Sequence, residues 1–203
     1  MIAIIDYGAG NIQSVYKALR FIGAECVVTS DRETILNADG AILPGVGAFG
    51  DCMENMERTG TKEATLDFIK TGKQFLGICL GLQLLFPESE ENAGVEGLSV
   101  LKGKIRRIPS GEGLKIPHMG WNNIEIKKKD GIFKGIEGSP YVYFVHSYYL
   151  DADDKEIVSA QTEYGVRIDA AVSFENVTAT QFHPEKSGET GLKMLKNFVE
   201  MCG

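Results

Sequence analysis

A Gly-x-Cys-x-Gly motif lies between a strand pattern and a helix pattern in the run Phe75-Leu76-Gly77-Ile78-Cys79-Leu80-Gly81. So sharp a strand-to-helix turn strains the backbone of its central residue and exposes that side chain, and glycines flank it because Cβ atoms would clash there. The helix predicted over residues 80–86 directs N–H groups at the sulfur and favours the thiolate. The motif predicts that Cys79 is a nucleophile; the alternative is a small buried cysteine in a tight turn.

Apolar strand patterns alternate with helical periodicity through the first half of the chain. Strands are predicted at 2–6, 25–28, 40–43 and 74–78, and helices at 12–22, 49–57, 62–71 and 80–86. In the second half, strand patterns at 105–108, 123–126, 141–145, 157–160, 170–174 and 178–182 are joined mainly by turns and precede a helix at 189–201. We therefore expect one α/β domain over residues 1–203, with a doubly wound, mainly parallel sheet flanked by helices and extended by antiparallel strands.

A histidine and a carboxylate two residues apart follow the last predicted strand, in Thr180-Gln181-Phe182-His183-Pro184-Glu185. Side chains two apart in an extended chain project to the same side, so Glu185 can contact one imidazole nitrogen of His183 while the other faces a thiol. The histidine then moves the proton, and the carboxylate fixes its tautomer. Taken alone, the pair reads as a surface contact at a strand end; together with Cys79 it predicts a catalytic triad.

A glycine-rich turn, Pro44-Gly45-Val46-Gly47, follows the third predicted strand. The tetrahedral intermediate of acyl transfer needs two N–H donors for its oxyanion. One is expected from Leu80, the residue after the nucleophile, and the other from Gly45, Val46 or Gly47. Gly-x-Gly also fits a tight turn or a phosphate cradle, but the third glycine of a dinucleotide motif and the Gly-Lys-Ser/Thr ending of a P-loop are missing.

Composition and spacing exclude several classes of protein. The net charge of −7 argues against a nucleic-acid partner. The N-terminal sequence lacks a signal-peptide pattern and no apolar run reaches the roughly 18 residues of a spanning helix, so we expect a cytoplasmic protein without a membrane partner. Four cysteines without a C-x-x-C pair and three histidines without zinc spacing predict free thiols, no metal and no cofactor. The acidic segment 88–97 is predicted as a surface loop without identifiable chemistry.

These motifs resemble those of the class I (triad) glutamine amidotransferases, and the resemblance covers essentially the whole chain. Within that class the chain is most similar to the glutamine amidotransferase subunits of imidazole glycerol phosphate synthases, from histidine biosynthesis. Four stretches carry the closer similarity: Asp6-Tyr7-Gly8-Ala9-Gly10-Asn11, Pro44-Gly45-Val46-Gly47, Pro117-His118-Met119-Gly120-Trp121-Asn122 and Phe182-His183-Pro184-Glu185-Lys186-Ser187. The resemblance implies an enzyme that hydrolyses glutamine to glutamate and ammonia with Cys79, His183 and Glu185.

The resemblance also implies roles for residues around the triad. The residues that would hold substrate glutamine are Gln83, His146, Ser147 and Tyr148. The residues that would face a partner subunit or the ammonia exit are Asn11, Trp121, Tyr143 and Lys186, with His118 ordering the loop that ends in Trp121 at that interface. As alternatives, Trp121 and Tyr143 are core aromatics and Gln83 is a solvated helix residue.

Free ammonia is mostly ammonium at neutral pH and would be lost to solvent, so an acceptor enzyme is expected beside this chain. The resemblance implies a heterodimer with a (β/α)8 barrel cyclase that makes imidazole glycerol phosphate and an aminoimidazole carboxamide ribotide. We hypothesise that the partner's ligand activates Cys79 by rearranging the Gly45-Val46-Gly47 loop. Two alternatives remain: an amidotransferase for another acceptor, as in anthranilate or pyridoxal phosphate synthesis, and a non-catalytic relative that binds a partner or a γ-glutamyl ligand.

Overall fold

The computed structural model describes residues 1–111 and 113–203, which form thirteen strands and six α-helices. The strands are β1 (Ile2–Ile5), β2 (Cys26–Thr29), β3 (Gly40–Gly45), β4 (Gln74–Cys79), β5 (Glu88–Ser89), β6 (Gly103–Arg107), β7 (His118–Asn123), β8 (Glu125–Ile126), β9 (Tyr141–His146), β10 (Tyr148–Ala152), β11 (Val158–Glu163), β12 (Arg167–Phe174) and β13 (Val177–Thr180). The helices are α1 (Ile12–Phe21), α2 (Arg32–Asn37), α3 (Phe49–Thr59), α4 (Thr61–Lys70), α5 (Leu80–Gln83) and α6 (Gly188–Met201).

Eight strands form the central sheet, in the order β2-β1-β3-β4-β13-β12-β11-β8. The first five are parallel, and β12, β11 and β8 continue the sheet through antiparallel pairs. The predicted mainly parallel sheet with an antiparallel extension is therefore confirmed. One strand differs from expectation: β13 runs parallel to β4, because a tight turn at Glu175, where φ is 50°, reverses the chain after β12.

The five other strands of the described chain form two smaller sheets. β10, β6 and β5 form one, and the antiparallel pair β7 and β9 forms the other. Ile105 and Leu150 pack into one core cluster, and Val142 and Phe144 pack into a second. The prediction that segments 105–108 and 141–145 extend the central sheet is wrong, because these strands bury their apolar sides in its covering layers and do not pair with its edge.

Helices cover both faces of the central sheet. Along β1, Ala3 and Ile5 enter one core cluster while Ile2 and Ile4 enter the other, as expected for a strand buried on both sides. Buried side chains of α2, α3 and α4 belong to the first cluster, and those of α1 and α6 to the second. The apolar faces of these helices, two of which (α1 and α6) were predicted as such, therefore fix the two layers that flank the sheet.

Two helices differ from the sequence prediction. No helix was predicted at α2, because only Ile35 is buried there and the sequence shows no hydrophobic period. Its start is capped by Asp31, whose side chain accepts a hydrogen bond from the Thr34 N–H. α5 ends at Gln83 and not at residue 86, because the chain tightens there into bonds to carbonyls three residues back. A four-residue helix provides a smaller dipole at the sulfur than the longer helix that was predicted.

Candidate active site

Cys79 lies where β4 ends and α5 begins, with φ of 57° and ψ of −107°. A positive φ is uncommon outside glycine and indicates a strained backbone. Packing requires the flanking glycines: a Cβ on Gly77 would lie 2.7 Å from the Gly81 carbonyl oxygen, and a Cβ on Gly81 would lie 1.9 Å from the Leu43 carbonyl oxygen. The strained turn predicted from the Gly-x-Cys-x-Gly motif is present. The expected exposure of the side chain is wrong, because Cys79 is only 6% exposed, although it lines a cavity.

The register of the parallel strands sets the neighbours of Cys79. Gly45 in β3 pairs with Cys79, and Thr180 in β13 pairs with Ile78, also on β4. Because parallel strands end at one edge of a sheet, the loops after β3 and β13 flank the sulfur. The topology thus brings together the three motifs that are far apart in the sequence.

His183 and Glu185 form a buried pair after β13. His183 Nδ1 lies 2.8 Å from Glu185 Oε1, and the two side chains are 1% and 0% exposed. The His183 N–H donates to the Tyr143 carbonyl at 2.9 Å, which ties the histidine backbone to β9. Asn11 Nδ2 donates to the same Glu185 oxygen at 3.1 Å. Since a carboxylate oxygen accepts, Nδ1 carries the proton, and Nε2 is the nitrogen left for chemistry.

The pKa of His183 is raised by its neighbours. Burial lowers this pKa, but the hydrogen bond to Glu185 and the charges of Cys79 and Glu185 outweigh burial and raise it to about 9. In residues 1–111 and 113–203, Nε2 of His183 is buried without a formed hydrogen bond, as is Glu185 Oε2. The imidazolium is therefore the favoured form at neutral pH, and it is suited to stabilise a thiolate and to protonate a leaving amine.

The Gly45-Val46-Gly47 turn packs directly on the strained turn at Cys79. A Cβ on Gly45 would lie 2.7 Å from the Gly81 backbone nitrogen, so only glycine permits this approach. Gly47 has a φ of 105°, which L side chains rarely adopt. The backbone N–H groups of this turn and of Leu80 therefore lie at one end of the same strand pair.

Two buried side chains anchor carbonyls at this glycine turn. Tyr7 donates its hydroxyl hydrogen to the Pro44 carbonyl at 2.9 Å, and burial raises the Tyr7 pKa so that it remains a donor. Cys52 Sγ donates to the Val46 carbonyl at 3.6 Å. The sequence motifs pointed to neither contact, because each partner is recognisable only once β1, β3 and α3 are packed together.

A cavity of about 350 Å³ opens beside Cys79. Its lining residues are Val46, Gly47, Cys79, Leu80, Gln83, Glu91, Pro117, Val145, His146, Ser147 and Tyr148. All four residues predicted to hold glutamine are in this lining, as are three of the four predicted for the oxyanion. The fourth, Gly45, packs against Leu80. His183 and Glu185 are buried outside the lining.

Glu91 is a cavity residue that the sequence motifs did not reveal. It belongs to the segment 88–97, for which no chemistry was predicted. Its Oε2 accepts a hydrogen bond from the Phe49 N–H at 2.8 Å, and Asn92 Oδ1 accepts one from the Gly50 N–H at 2.8 Å. The loop therefore caps the start of α3 and presents a carboxylate to the cavity. Its acidic composition was the only sequence feature that could have indicated this role.

Gln83 is buried beneath the cavity, with 4% of its surface exposed. Its Nε2 donates to the Tyr148 carbonyl at 3.0 Å and to Gln181 Oε1 at 3.0 Å. The alternative of a solvated helix residue is therefore wrong. His146 Nδ1 donates to the same Tyr148 carbonyl at 2.8 Å, so two of the predicted glutamine-binding residues hold the backbone of a third.

Three of the residues predicted to face a partner form a surface aromatic patch, defined by Trp121, Tyr143 and Lys186, in which Tyr143 is half-buried. Trp121 is 56% exposed and its ring centroid lies 6.2 Å from that of Tyr143, edge to face. Lys186 Nζ lies 5.8 Å from the centre of the Tyr143 ring. Trp121 is therefore not a core aromatic.

His118 and Asn11 lie apart from this patch. His118 is 3% exposed and stacks between the rings of Phe144 and Tyr164, with centroid distances of 4.6 and 3.9 Å. Its side chain is a buried support for β7 and does not face solvent. Asn11 directs its side-chain amide at Glu185 and thereby supports the histidine–carboxylate pair.

The described residues also lack two general features. No helix within them is both long and apolar enough to cross a bilayer. No group of three or more His, Cys, Asp or Glu side chains in this part of the chain is arranged to hold a metal ion.

The chain matches known proteins over nearly its whole length. The family model described as glutamine amidotransferase class-I matches residues 3–202. An imidazole glycerol phosphate synthase subunit HisH from Caldanaerobacter subterraneus subsp. tengcongensis is 53% identical, covering 99% of this chain and 98% of the relative. A second HisH subunit, from Methanothermobacter thermautotrophicus, is 52% identical with the same coverage. A crystal structure of a glutamine amidotransferase has a TM-score of 0.79 at 19% identity and 100% coverage of both chains, which shows the fold.

Proposed function

The chain belongs to the class I glutamine amidotransferase family, and from that membership we propose that Cys79, His183 and Glu185 hydrolyse glutamine to glutamate and ammonia. The observation that carries this assignment is the buried 2.8 Å contact between His183 and Glu185 beside a cysteine held at positive φ. The curated relatives about half identical to the chain are HisH subunits, so the ammonia serves imidazole glycerol phosphate synthase, in histidine biosynthesis.

Acylation begins with attack of the Cys79 thiolate on the side-chain amide carbon of glutamine. The resulting oxyanion accepts hydrogen bonds from the Leu80 N–H and from an N–H of the Gly45-Val46-Gly47 turn. His183, as the imidazolium, donates its Nε2 proton to the leaving nitrogen, and ammonia departs. Glu185 keeps the other proton on Nδ1 and stabilises the positive charge of the ring. A γ-glutamyl thioester remains on Cys79.

Deacylation uses the same groups in reverse. Nε2 of the now neutral His183 removes a proton from water, whose oxygen attacks the thioester carbon. The second tetrahedral intermediate uses the same N–H donors and expels the Cys79 thiolate, leaving the γ-carboxylic acid, which releases its remaining proton to solvent as glutamate. The imidazolium of His183 is regenerated beside that thiolate, so the raised pKa of His183 fits the resting state of the cycle.

The cavity suits the charged end of glutamine. Both amide hydrogens of Gln83 are committed to Tyr148 and Gln181, so its Oε1 is the atom available to the ammonium group of the substrate. The Glu91 carboxylate lines the same cavity and offers a counter-charge. The backbone N–H groups at Ser147 and Tyr148 are candidate donors to the substrate carboxylate.

The acceptor of ammonia is proposed to be a (β/α)8 barrel cyclase subunit in a heterodimer with this chain. The name of the relatives, a synthase subunit, supports a second subunit. The aromatic patch supports its place on the surface, because Trp121 is exposed and tryptophan and tyrosine are enriched at protein interfaces. We place the enzyme in the cytoplasm, where its four free cysteines would stay reduced.

Glutamate release by the purified chain tests this function, alone and with a cyclase-type barrel subunit and its ribotide ligand. The liganded partner should stimulate release, and Cys79→Ala should lower it by about 10³-fold or more. Cys26→Ala is the matched control, since Cys26 lies on β2 at the sheet edge, and it should behave as wild type. Stimulation that survives Cys79→Ala would overturn the triad, and activity indifferent to the cyclase would overturn the partner.

A further inference from the structure

Gln181 makes a direct contact with the sulfur of Cys79. It follows β13, is 0% exposed, and its backbone N–H donates to the Ala170 carbonyl at 2.8 Å. Its side-chain Nε2 lies 3.8 Å from Cys79 Sγ, and its Oε1 accepts a hydrogen bond from Gln83 Nε2 at 3.0 Å. A buried glutamine amide therefore bridges Gln83 and the proposed nucleophile.

The direction of this amide is fixed by one backbone carbonyl. The Tyr148 carbonyl can only accept, and it receives hydrogen bonds from His146 Nδ1 and from Gln83 Nε2. Gln83 must therefore keep its NH2 group towards Tyr148, and the same NH2 group faces Gln181. Gln181 consequently places its oxygen towards Gln83 and its own NH2 group towards the sulfur.

The same carbonyl fixes the tautomers of two buried histidines. Because His146 Nδ1 carries the proton donated to Tyr148, its Nε2 is an acceptor, and His118 Nδ1 donates to it at 3.0 Å. Burial, and then the neighbouring His118, lower the pKa of His146 to about 3, and burial lowers the pKa of His118 to about 4. Both rings are neutral at physiological pH. Each hydrogen bond in the chain from His118 on β7 through His146 to the Tyr148 carbonyl therefore has a fixed donor and a fixed acceptor.

Besides His183, the sulfur has two polar neighbours with opposite preferences. As a thiol, Cys79 donates to the Val145 carbonyl at 3.8 Å, a contact that a thiolate would lose. The Gln181 amide donates, and a donor interacts more strongly with a charged sulfur than with a neutral one. A polar donor aimed at a reacting atom and locked by its own partners has the arrangement expected of a charge-stabilising group.

We propose that Gln181 is a further catalytic residue, whose Nε2–H donates to the thiolate of Cys79 while Gln83 and Tyr148 hold the amide in that direction. This inference rests on the proposed role of Cys79 as nucleophile. Gln181 steadies the charged sulfur before attack and again when the thioester is hydrolysed. A glutamine that merely fills the core would leave the reactivity of the sulfur unchanged.

Alkylation of Cys79 by iodoacetamide tests the proposal without requiring turnover. The rate is followed across pH by mass spectrometry of the Cys79 peptide, in wild type and in Gln181→Met, which keeps length but removes the donor. Alkylation near pH 7 should slow about tenfold, the effect expected for losing a hydrogen bond to a charged group, while the limiting rate at high pH stays within about twofold. Gln181→Glu should react more slowly still, because a carboxylate oxygen would face the thiolate.

The control is Gln74→Leu, at the far end of the same strand β4, which should alkylate as wild type does. Gln83→Met provides a second variant in case Gln181→Met does not fold, since it removes the group that directs the Gln181 amide; it should also slow alkylation near pH 7. Rates within about twofold of wild type at every pH, in the folded Gln181 or Gln83 variants, would overturn the proposal. Failure of the triad itself is distinguishable, since Cys79→Ala would then retain glutamate release.

Discussion

His183 Nδ1 and Glu185 Oε1 lie 2.8 Å apart in a pair of side chains withdrawn from solvent, two residues from each other in the chain. The spacing matters because Pro184 begins a single 3-10 turn between them, which folds the carboxylate back onto the ring. The contact fixes the proton on Nδ1 and leaves Nε2 for Cys79. The basicity of the histidine therefore depends on a carboxylate that itself does not line the cavity.

Replacing Glu185 by glutamine should reduce both turnover and the basicity of His183. The amide keeps the shape but removes the charge that raises the pKa of His183, so the alkaline limb of the pH profile should move to lower pH. We expect kcat to fall by about 10²-fold or more. Asn11→Ala removes only the second donor to Glu185 and should cost less than about tenfold. An alkaline limb that does not move in Glu185→Gln would contradict this account.

The stability of the chain should depend on pH through His183. A folded-state pKa of about 9, above the ordinary value of 6.5, means that protonated His183 stabilises the fold fully below pH 6.5. That contribution is lost as the pH rises through 9. The difference in unfolding free energy between wild type and His183→Gln should shrink by on the order of 3 kcal/mol between about pH 6 and pH 10. Urea unfolding of both proteins measures it, and a constant difference would disagree.

Gly81→Ala should destabilise the fold because its Cβ would lie 1.9 Å from the Leu43 carbonyl oxygen. Backbone must move to relieve that overlap, and we expect a loss of about 3 kcal/mol in the free energy of unfolding. Gly111→Ala is the control, since its nearest atom is Leu114 Cβ at 3.7 Å, and it should change stability by less than about 0.5 kcal/mol. Equal stabilities of the two variants would show that the turn at Cys79 is not tightly packed.

Trp121→Ala should weaken binding of the cyclase subunit. Large aromatic side chains at the centre of an interface often contribute about 2 kcal/mol, so Kd should rise by roughly 30-fold. Phe174→Ala is the matched control, since Phe174 is also exposed (45%). It pairs with Val177, which is level with the start of β4, whereas Cys79 is at the end of β4. Titration calorimetry compares the two. Equal Kd values for both variants would place the interface elsewhere.

The strained turn at Cys79 was predictable because its determinants are local. Gly77, Cys79 and Gly81 lie within five residues, and the strand before them is apolar. Likewise, His183 and Glu185 are separated by one residue, so their contact is local, although it forms across the 3-10 turn that begins at Pro184 and not in the extended chain that was predicted. The parallel strands β1 to β4 were predictable because most of them alternate with amphipathic helices, whereas the parallel β13 follows β12 directly and has no such helix before it.

The remaining contacts depend on pairings that local patterns do not contain. Gln181 contacts Cys79 across 102 positions and Gln83 across 98, and neither spacing has a motif. β9 has a strand-like pattern, but a pattern does not state which strand becomes the partner, and its partner β7 was not predicted as a strand at all. For the same reason the carboxylate of Glu91 in the cavity was not recognised from its acidic loop.

The most direct test of the central claim is mass spectrometry of the Cys79 peptide after acid quenching of the enzyme during turnover of glutamine. A γ-glutamyl group is expected on Cys79, absent in Cys79→Ala and present at unchanged level in Cys26→Ala. Glutamate formed at the wild-type rate by Cys79→Ala, with no adduct on the wild-type peptide, would contradict the claim that Cys79 is the nucleophile.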